Sequence, residues 1–414
     1  MRVAVLGAGV IGVATAYELW RDGHEVVVLD RAAEPASGTS FANAGMIAPG
    51  HAYAWSSPKA LRTLVRSLTR DDLALRFRFQ ADPQFWRWCW RFYRQCTAER
   101  AAANTRRKVA LCRYSQDRLH AVVADAGVAY GARTGGALYL YRDAAGLALA
   151  AVKAQILRDE GVEVRGVSPD EAAAIDPVYE PVRDLFAGAL YAPGDESGDA
   201  RLFSRGLADW LAERGVEFRL GRTITRITTT SERLAAVDTD QGAVQADAFV
   251  LALGCWSAAF GRSLGLDLPV YPIKGYSVTL PIEGRNNPPT LSGVDEDNLF
   301  AFANYGDRVR MTAIAEFAGW DTSHRPADFA PMLRAARELF PDAGDYDRPE
   351  FWAGLRPMTP DNLPIFGRGQ AANLWVNTGH GHMGWTWACG SARITADLIA
   401  GRKPEHDVTS MLVH

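Results

Sequence analysis

The segment Gly7-Ala8-Gly9-Val10-Ile11-Gly12 constrains this chain more than any other feature. Before it, Val3-Ala4-Val5-Leu6 reads as a short buried strand; after it, Val10 to Arg21 reads as a helix. Gly23-His24 is a turn, and Val26-Val27-Val28-Leu29 is a second buried strand, completing a βαβ unit with parallel strands. Each glycine has a task in such a unit. Gly7 permits the tight turn, Gly9 lets the backbone approach a pyrophosphate, and Gly12 lets helix and sheet pack closely. The helix start, at Val10 and Ile11, offers free N–H groups and a partial positive charge. Asp30 follows at the end of the second strand, where it can accept hydrogen bonds from both ribose hydroxyls. A carboxylate there disfavours the 2′-phosphate of NADP. A glycine-rich turn without a ligand is the plain alternative, and the register of strand, helix and acid argues against it.

The motif alone does not separate FAD from NAD. Ser37 to Ile47, which includes Ser40, Asn43, Ala44, Gly45 and Met46, is a run of mostly small and polar residues after the second strand. Such a run allows the close backbone contact that a ribityl chain and a flavin edge require. An ordinary polar loop is the competing reading.

Composition narrows the class. The chain has 414 residues with 48% apolar and 22% charged, so a globular protein with a sizeable core is expected. A net charge of −3 gives no general case for nucleic acid. Five cysteines without Cys-x-x-Cys spacing make a disulfide framework or a structural zinc unexpected and fit a reducing compartment. The apolar N-terminus superficially resembles a signal peptide. Its three fixed glycines, and Glu18 before any cleavage site, argue against that reading. The chain is therefore expected to be cytoplasmic, with peripheral membrane contact left open.

Farther along, Gly135 to Tyr141 alternates like a strand, Ala144 to Asp159 reads as a helix, and Ser168-Pro169-Asp170-Glu171 reads as a helix cap. Asp195 to Asp199 reads as a polar loop before a helix from Arg201 to Arg214. Strands are expected at Val216 to Leu220, Thr223 to Thr228, Ala248 to Leu253 and through Tyr271 to Phe317, with a helix near Pro331 to Leu339. Leu374 to Asn377 closes the strands, followed by a glycine-rich loop and a helix from Gly384.

The opening βαβ, SGTSFANAGMIAPG, YPIKGYS, GLRPMTPDNLPIFG and NTGHGHMGWT together resemble the D-amino acid dehydrogenase branch of the FAD-dependent glycine/D-amino acid oxidase family. The resemblance spans nearly the whole chain. It implies an α/β fold, in which a Rossmann-like domain assembled from separated segments holds non-covalent FAD. The second part is an α+β substrate (cap) domain with a mostly antiparallel sheet. Residues 1–58, 195–258 and 352–414 are assigned to the first, and 59–194 and 259–351 to the second. The resemblance also implies cofactor contacts from Arg31, Gly254, Trp256 and Gly354, and from Gly381, His382, Met383, Gly384, Trp385 and Thr386.

At the substrate end, Arg356 sits in an apolar frame fixed by glycine and proline. A rigid guanidinium can bind a carboxylate through two parallel hydrogen bonds, and the resemblance assigns Arg356 that role. His382, Tyr276 and His51 are further pocket residues, with His382 a possible base. Three positions depart from the commoner dehydrogenase pattern: His382-Met383 replaces Thr-Leu, and Asn362 replaces a glycine. The expected reaction is oxidation of the Cα–N bond of a D-amino acid by hydride transfer to flavin N5. The imine then hydrolyses to keto acid and ammonia. Secondary-amine oxidation of the D-proline, D-hydroxyproline or sarcosine type, and a non-catalytic flavin relay, are the alternatives.

Charge is uneven along the chain. Residues 59–108 hold 13 Lys and Arg against 4 Asp and Glu, a local +9 that leaves −12 elsewhere. Within them, Phe85 to Cys96 as a helix gathers Arg87, Arg91 and Arg94 on one face and aromatics over most of the rest. A helix packed in the cap is one reading. A surface facing a membrane or a quinone acceptor is the other.

Overall fold

The computed structural model describes residues 1–58, 60, 75–230 and 232–413. Residues 59 and 61–74 of the basic stretch therefore lie outside the described residues.

A six-stranded sheet carries the opening βαβ unit. Its order is Ile365–Arg368, Leu374–Thr378, Ala248–Leu251, Arg2–Leu6, Glu25–Leu29 and Glu217–Arg219, with only the first strand antiparallel. The strands are apolar on both sides because both faces are covered. Val3, Val5, Val26 and Val28 face a helical layer of Val10–Arg21, Ala98–Ala126, Ala200–Ala212 and Gly384–Ile399. Ala4, Leu6, Val27 and Leu29 face a three-stranded meander at Ile224–Thr229, Leu234–Thr239 and Gly242–Val244.

A second sheet of nine strands is mostly antiparallel, with two parallel pairings. At one end of it, Tyr271–Pro281 lies between Arg308–Phe317 and the edge strand Glu350–Met358. The helix Ala330–Leu339 covers one face over a core of Tyr276, Val278, Phe300, Phe302 and Met311. The expected α/β fold with a second, mostly antiparallel sheet is thus present.

Several local expectations are corrected. The helix predicted from Ala144 to Asp159 is broken at Ala154 into Ala144–Lys153 and Gln155–Asp159. The polar loop Asp195 to Asp199 is buried throughout. Glu196–Ser197 pairs with Met46–Ile47, and Asp199 caps the next helix through the N–H groups of Arg201 and Leu202. These acids are inside because each is hydrogen-bonded.

The aromatic helix runs Pro83–Gln95, capped by Asp82 on Gln84 N. One side is packed: Phe85 and Trp88 join Tyr271, Ile273, Phe317 and Met358. Arg87 and Arg91 share one face and both pair with Asp267, at 2.7 and 2.5 Å. Trp86, Trp90 and Tyr93 remain exposed. No helix among the described residues is long and apolar enough to cross a membrane.

Glu18, in the middle of the first apolar run, is fully buried. It receives Arg393 at 2.7 Å and Arg118 at 3.2 Å, while Arg393 also pairs with Asp22 and Asp397 at 2.7 and 2.9 Å. These contacts lock the first helix onto the last. Replacing Arg393 with Met strands Glu18 with a weaker partner set and should destabilise the fold by about 3 kcal/mol. The check is the midpoint of denaturant unfolding; an unchanged midpoint would show the lock to be idle.

Candidate active site

A cavity of about 1120 Å³ opens at the carboxyl ends of the parallel strands and extends beneath the nine-stranded sheet. Gly7, Asp30 and Ala252 line it directly after their strands and Thr378 at the end of its own, the usual ligand-binding edge of an open α/β sheet. All the residues expected from sequence to hold cofactor or substrate line this cavity except Gly12 and Ile47. A Cβ on Gly12 would stand 1.8 Å from Gly7 O, so Gly12 serves the close helix–strand packing. Ile47 is fully buried in a short strand pair.

The glycine end is built as the motif requires. Gly7 has φ +112°, and its N–H donates to Leu29 O. Around Gly9, an added Cβ would meet only Ser40 Oγ, at 3.5 Å. Ser40 Oγ accepts from Val10 N, and the helix has no cap from its own N-cap residue. The Asp30 carboxylate accepts from Ala8 N at 2.7 Å and Ala32 N at 2.9 Å, which fixes it at the cavity wall. Arg31 stacks on Trp256, 3.9 Å from its ring centroid. Gly45 N donates to Asn43 Oδ1, and Thr386 Oγ1 donates to Met46 O, tying this loop to the last helix. That helix also starts without a side-chain cap, and its first-turn residues Gly384, Trp385 and Thr386 line the same cavity. Trp385 itself is packed, donating its indole N–H to Gly198 O. Two helix N-termini therefore converge on one space, which favours anionic or electron-rich groups.

At the other end lies Arg356. It is enclosed in protein, its residual exposure facing the cavity. Among the described residues no carboxylate pairs with it, and only Nη1 is engaged, with Ile314 O at 3.0 Å and Lys274 O at 3.5 Å. Burial pulls the guanidinium down to about 10, which leaves it charged at neutral pH. Two features hold it there. A Cβ on Gly275, on the adjoining strand, would lie 2.4 Å from the guanidinium carbon. Ile314 has φ +65°, a costly conformation for a β-branched residue, at an irregularity where Lys274 and Tyr276 pair with Glu316 and Ala313. A lone buried cation calls for an anion from outside.

The histidines divide into separate environments. His51 Nε2 meets Glu296 Oε1 at 2.6 Å, and its ring stacks on Tyr139 at 4.9 Å. Burial pulls this imidazole down, but the Glu296 carboxylate outweighs it and the net shift is upward. His382 stacks on Trp55, ring centroids 4.3 Å apart, and Nε2 lies 3.2 Å from Lys108 Nζ. Burial, Lys108 and Arg356 all hold it well below the usual imidazole range. His380 is a core residue bonded to Ser391. Tyr276 forms part of the wall, but its hydroxyl is committed to buried Glu316 and its ring packs on Phe329.

Sequence reasoning missed Gly275, Ile314, Trp55 and Lys108. Gly275 alone carried a signal, as a glycine within a strand pattern. Asn362 gains an explanation: it sits at φ +65°, which asparagine tolerates nearly as well as glycine. Its Oδ1 accepts from Trp55 N at 2.6 Å and Ser56 N at 3.0 Å, which fixes the Trp55 that stacks on His382.

Residues 2–398 match the model of the family described as FAD dependent oxidoreductase. The chain belongs to that family. It is 46% identical over 408 residues to D-amino acid dehydrogenase 2 of Mesorhizobium japonicum, covering 98% of each chain. It is 43% identical over 403 residues to the D-amino acid dehydrogenase of Paramagnetospirillum magneticum, covering 97% of this chain and 96% of that one. Glycine oxidase from Geobacillus kaustophilus shares the fold, with a TM-score of 0.78 and 23% identity over 100% of this chain and 98% of that one.

FAD is the family's cofactor, and the residues present fit it. The cavity is larger than most small-ligand sites, the Gly9 position is open, and both helix ends face inward. Gly275 gives a direct test of the Arg356 end. Gly275→Ala should leave the fold and FAD intact, because a flexible side chain can move aside, but displace the guanidinium. Affinity for a simple carboxylate such as benzoate, read from the flavin spectrum, should fall on the order of tenfold, about 1.4 kcal/mol. Unchanged affinity would detach Arg356 from carboxylate binding.

Proposed function

We propose that this FAD-dependent oxidoreductase oxidises the Cα–N bond of a D-amino acid to an imine, which water converts to a keto acid and ammonia. The observation that carries the reading is Arg356, a buried, charged guanidinium without a carboxylate partner among the described residues, lining the cavity. The names of the 46% and 43% identical relatives supply the substrate class.

FAD, when bound, supplies a two-electron acceptor for the hydride leaving Cα. The protein's own residues do the rest. Arg356 holds the substrate carboxylate through its unengaged N–H groups, in a site where burial strengthens the contact. Ile314 O and the space over Gly275 fix the guanidinium, which orients the substrate and lowers the entropic part of the barrier. Gly7, Gly9, Val10, Ile11 and Asp30 hold the dinucleotide end, with Ser40, Asn43 to Met46 and the Gly381 to Thr386 turn along the flavin. His51 has Nε2 committed to Glu296, so the amine falls to His382. A relay subunit has no use for a carboxylate clamp at the inner end of its cavity.

The electron acceptor in this reading is a quinone reached at a membrane surface. Exposed Trp86, Trp90, Tyr93 and Phe79, on and beside the aromatic helix, support a peripheral contact there.

Under argon, D-amino acids should bleach the flavin and their L-enantiomers should not. Arg356→Leu should keep FAD but lose on the order of 2–5 kcal/mol of transition-state binding, read as kcat/KM. Bleaching by L-amino acids alone, or an Arg356→Leu enzyme with unchanged kcat/KM, would overturn the reading.

A further inference from the structure

Lys108 lies near the middle of the helix Ala98–Ala126 and is fully buried. Its ammonium has no carboxylate within 4 Å among the described residues. Its contacts are Tyr53 O at 2.7 Å and His382 Nε2 at 3.2 Å, with the Trp387 ring 5.8 Å away. Cys112 is the titratable neighbour on its own helix, and His51 on the opposing loop is close enough to feel its charge. His51 is itself paired with Glu296, and Asp195 lies behind it. A solitary amine in this core is not a stabilising feature, since burying a charge without a counter-ion is costly.

His382 is held on its other sides. Trp55 stacks on the ring, Asn362 fixes Trp55, and Nδ1 is buried with no hydrogen-bond partner among the described residues. The ring lines the cavity that Arg356 also lines. One nitrogen thus meets Lys108, and the other is a buried polar atom that no described residue satisfies.

We propose that Lys108 and His382 form a proton relay that takes the proton from the substrate's α-ammonium group before oxidation. The inference rests on the amino-acid reading of the site. In the step, an N–H bond of the ammonium breaks and the proton bonds to His382 Nδ1, while the Nε2 proton passes to Lys108 Nζ. No electrons are transferred. The imidazole begins and ends neutral with its tautomer reversed, and one positive charge moves from substrate to lysine. After product leaves, the relay runs backward to water entering the cavity.

The relay removes a difficulty with His382 as a lone base. Burial, Lys108 and Arg356 disfavour an imidazolium there, so the ring cannot keep the proton. Lys108 can, because burial lowers its amine to about 7, so that it is largely neutral and able to accept above that pH. Lys108 is a positioning residue that acts through His382, while His382 meets the substrate.

The test is the reductive half-reaction of the FAD-holoenzyme with a D-amino acid under argon, from pH 6 to 10. In the native enzyme flavin reduction should rise through about pH 7 and then level off. Lys108→Met should slow it on the order of 100-fold at pH 8. The deficit should close above the substrate's own ammonium pKa, where no proton need be taken. His382→Gln should reproduce that profile and covers the case in which the lysine variant does not fold. Independently, ring ¹⁵N shifts of His382 in substrate-free holoenzyme should report a tautomer change with midpoint near 7. In Lys108→Met they should stay fixed. Reduction that keeps the native pH profile in both variants, or a deficit that high pH does not close, overturns the relay while leaving the amino-acid reading intact. Failure of every amino acid to reduce the flavin overturns the reading and the relay together.

Discussion

The site depends on one unbalanced charge. Arg356 is held inside the protein, and two backbone carbonyls are its only hydrogen-bond partners among the described residues. Such a group costs free energy until an anion arrives, and the chain accepts further cost to keep it in place. Ile314 adopts a left-handed conformation that isoleucine disfavours, which brings its carbonyl to Nη1. Gly275 gives up a side chain within a paired strand so that the guanidinium can lie over it. Strain and a missing side chain on neighbouring strands both serve the same group.

The opposite end of the cavity follows a different logic. There the charge is partial and belongs to helix N-termini, at Gly9 and at Met383, with Asp30 as the one acid among the described lining residues. The two helices are joined by Arg393 with Glu18 and Asp22, so the ends that face the cofactor are fixed relative to each other. A rigid frame at one end and a rigid cation at the other set the distance over which cofactor and substrate must meet.

Much of this was readable from residues alone, and the reason is local. The βαβ unit declares itself because Val3 to Leu6 and Val26 to Leu29 are apolar at every position, which only a sheet covered on both faces permits. Asp30 and the small-residue loop follow from that register. What escaped notice is set by distant partners. Lys108 follows Arg106 and Arg107, so it reads as part of a solvated basic run although it is fully buried. Asp195 to Asp199 reads as a polar loop because its partners, Gly50, Tyr139 and Arg308 among them, are remote in sequence. The conformation of Ile314 runs against its own propensity and has no local signal. Asn362 was noticed only as a departure; its contact with Trp55 crosses more than 300 positions.

The account's central claim is that Arg356 is the substrate's carboxylate anchor. A crystal structure of the FAD-bound enzyme with a non-oxidisable carboxylate, such as benzoate, tests it most directly. The carboxylate should lie on the free edge of the Arg356 guanidinium, with two hydrogen bonds near 2.8 Å, and Ile314 O should remain on Nη1. A carboxylate bound elsewhere in the cavity, with the guanidinium still unpaired, would contradict it.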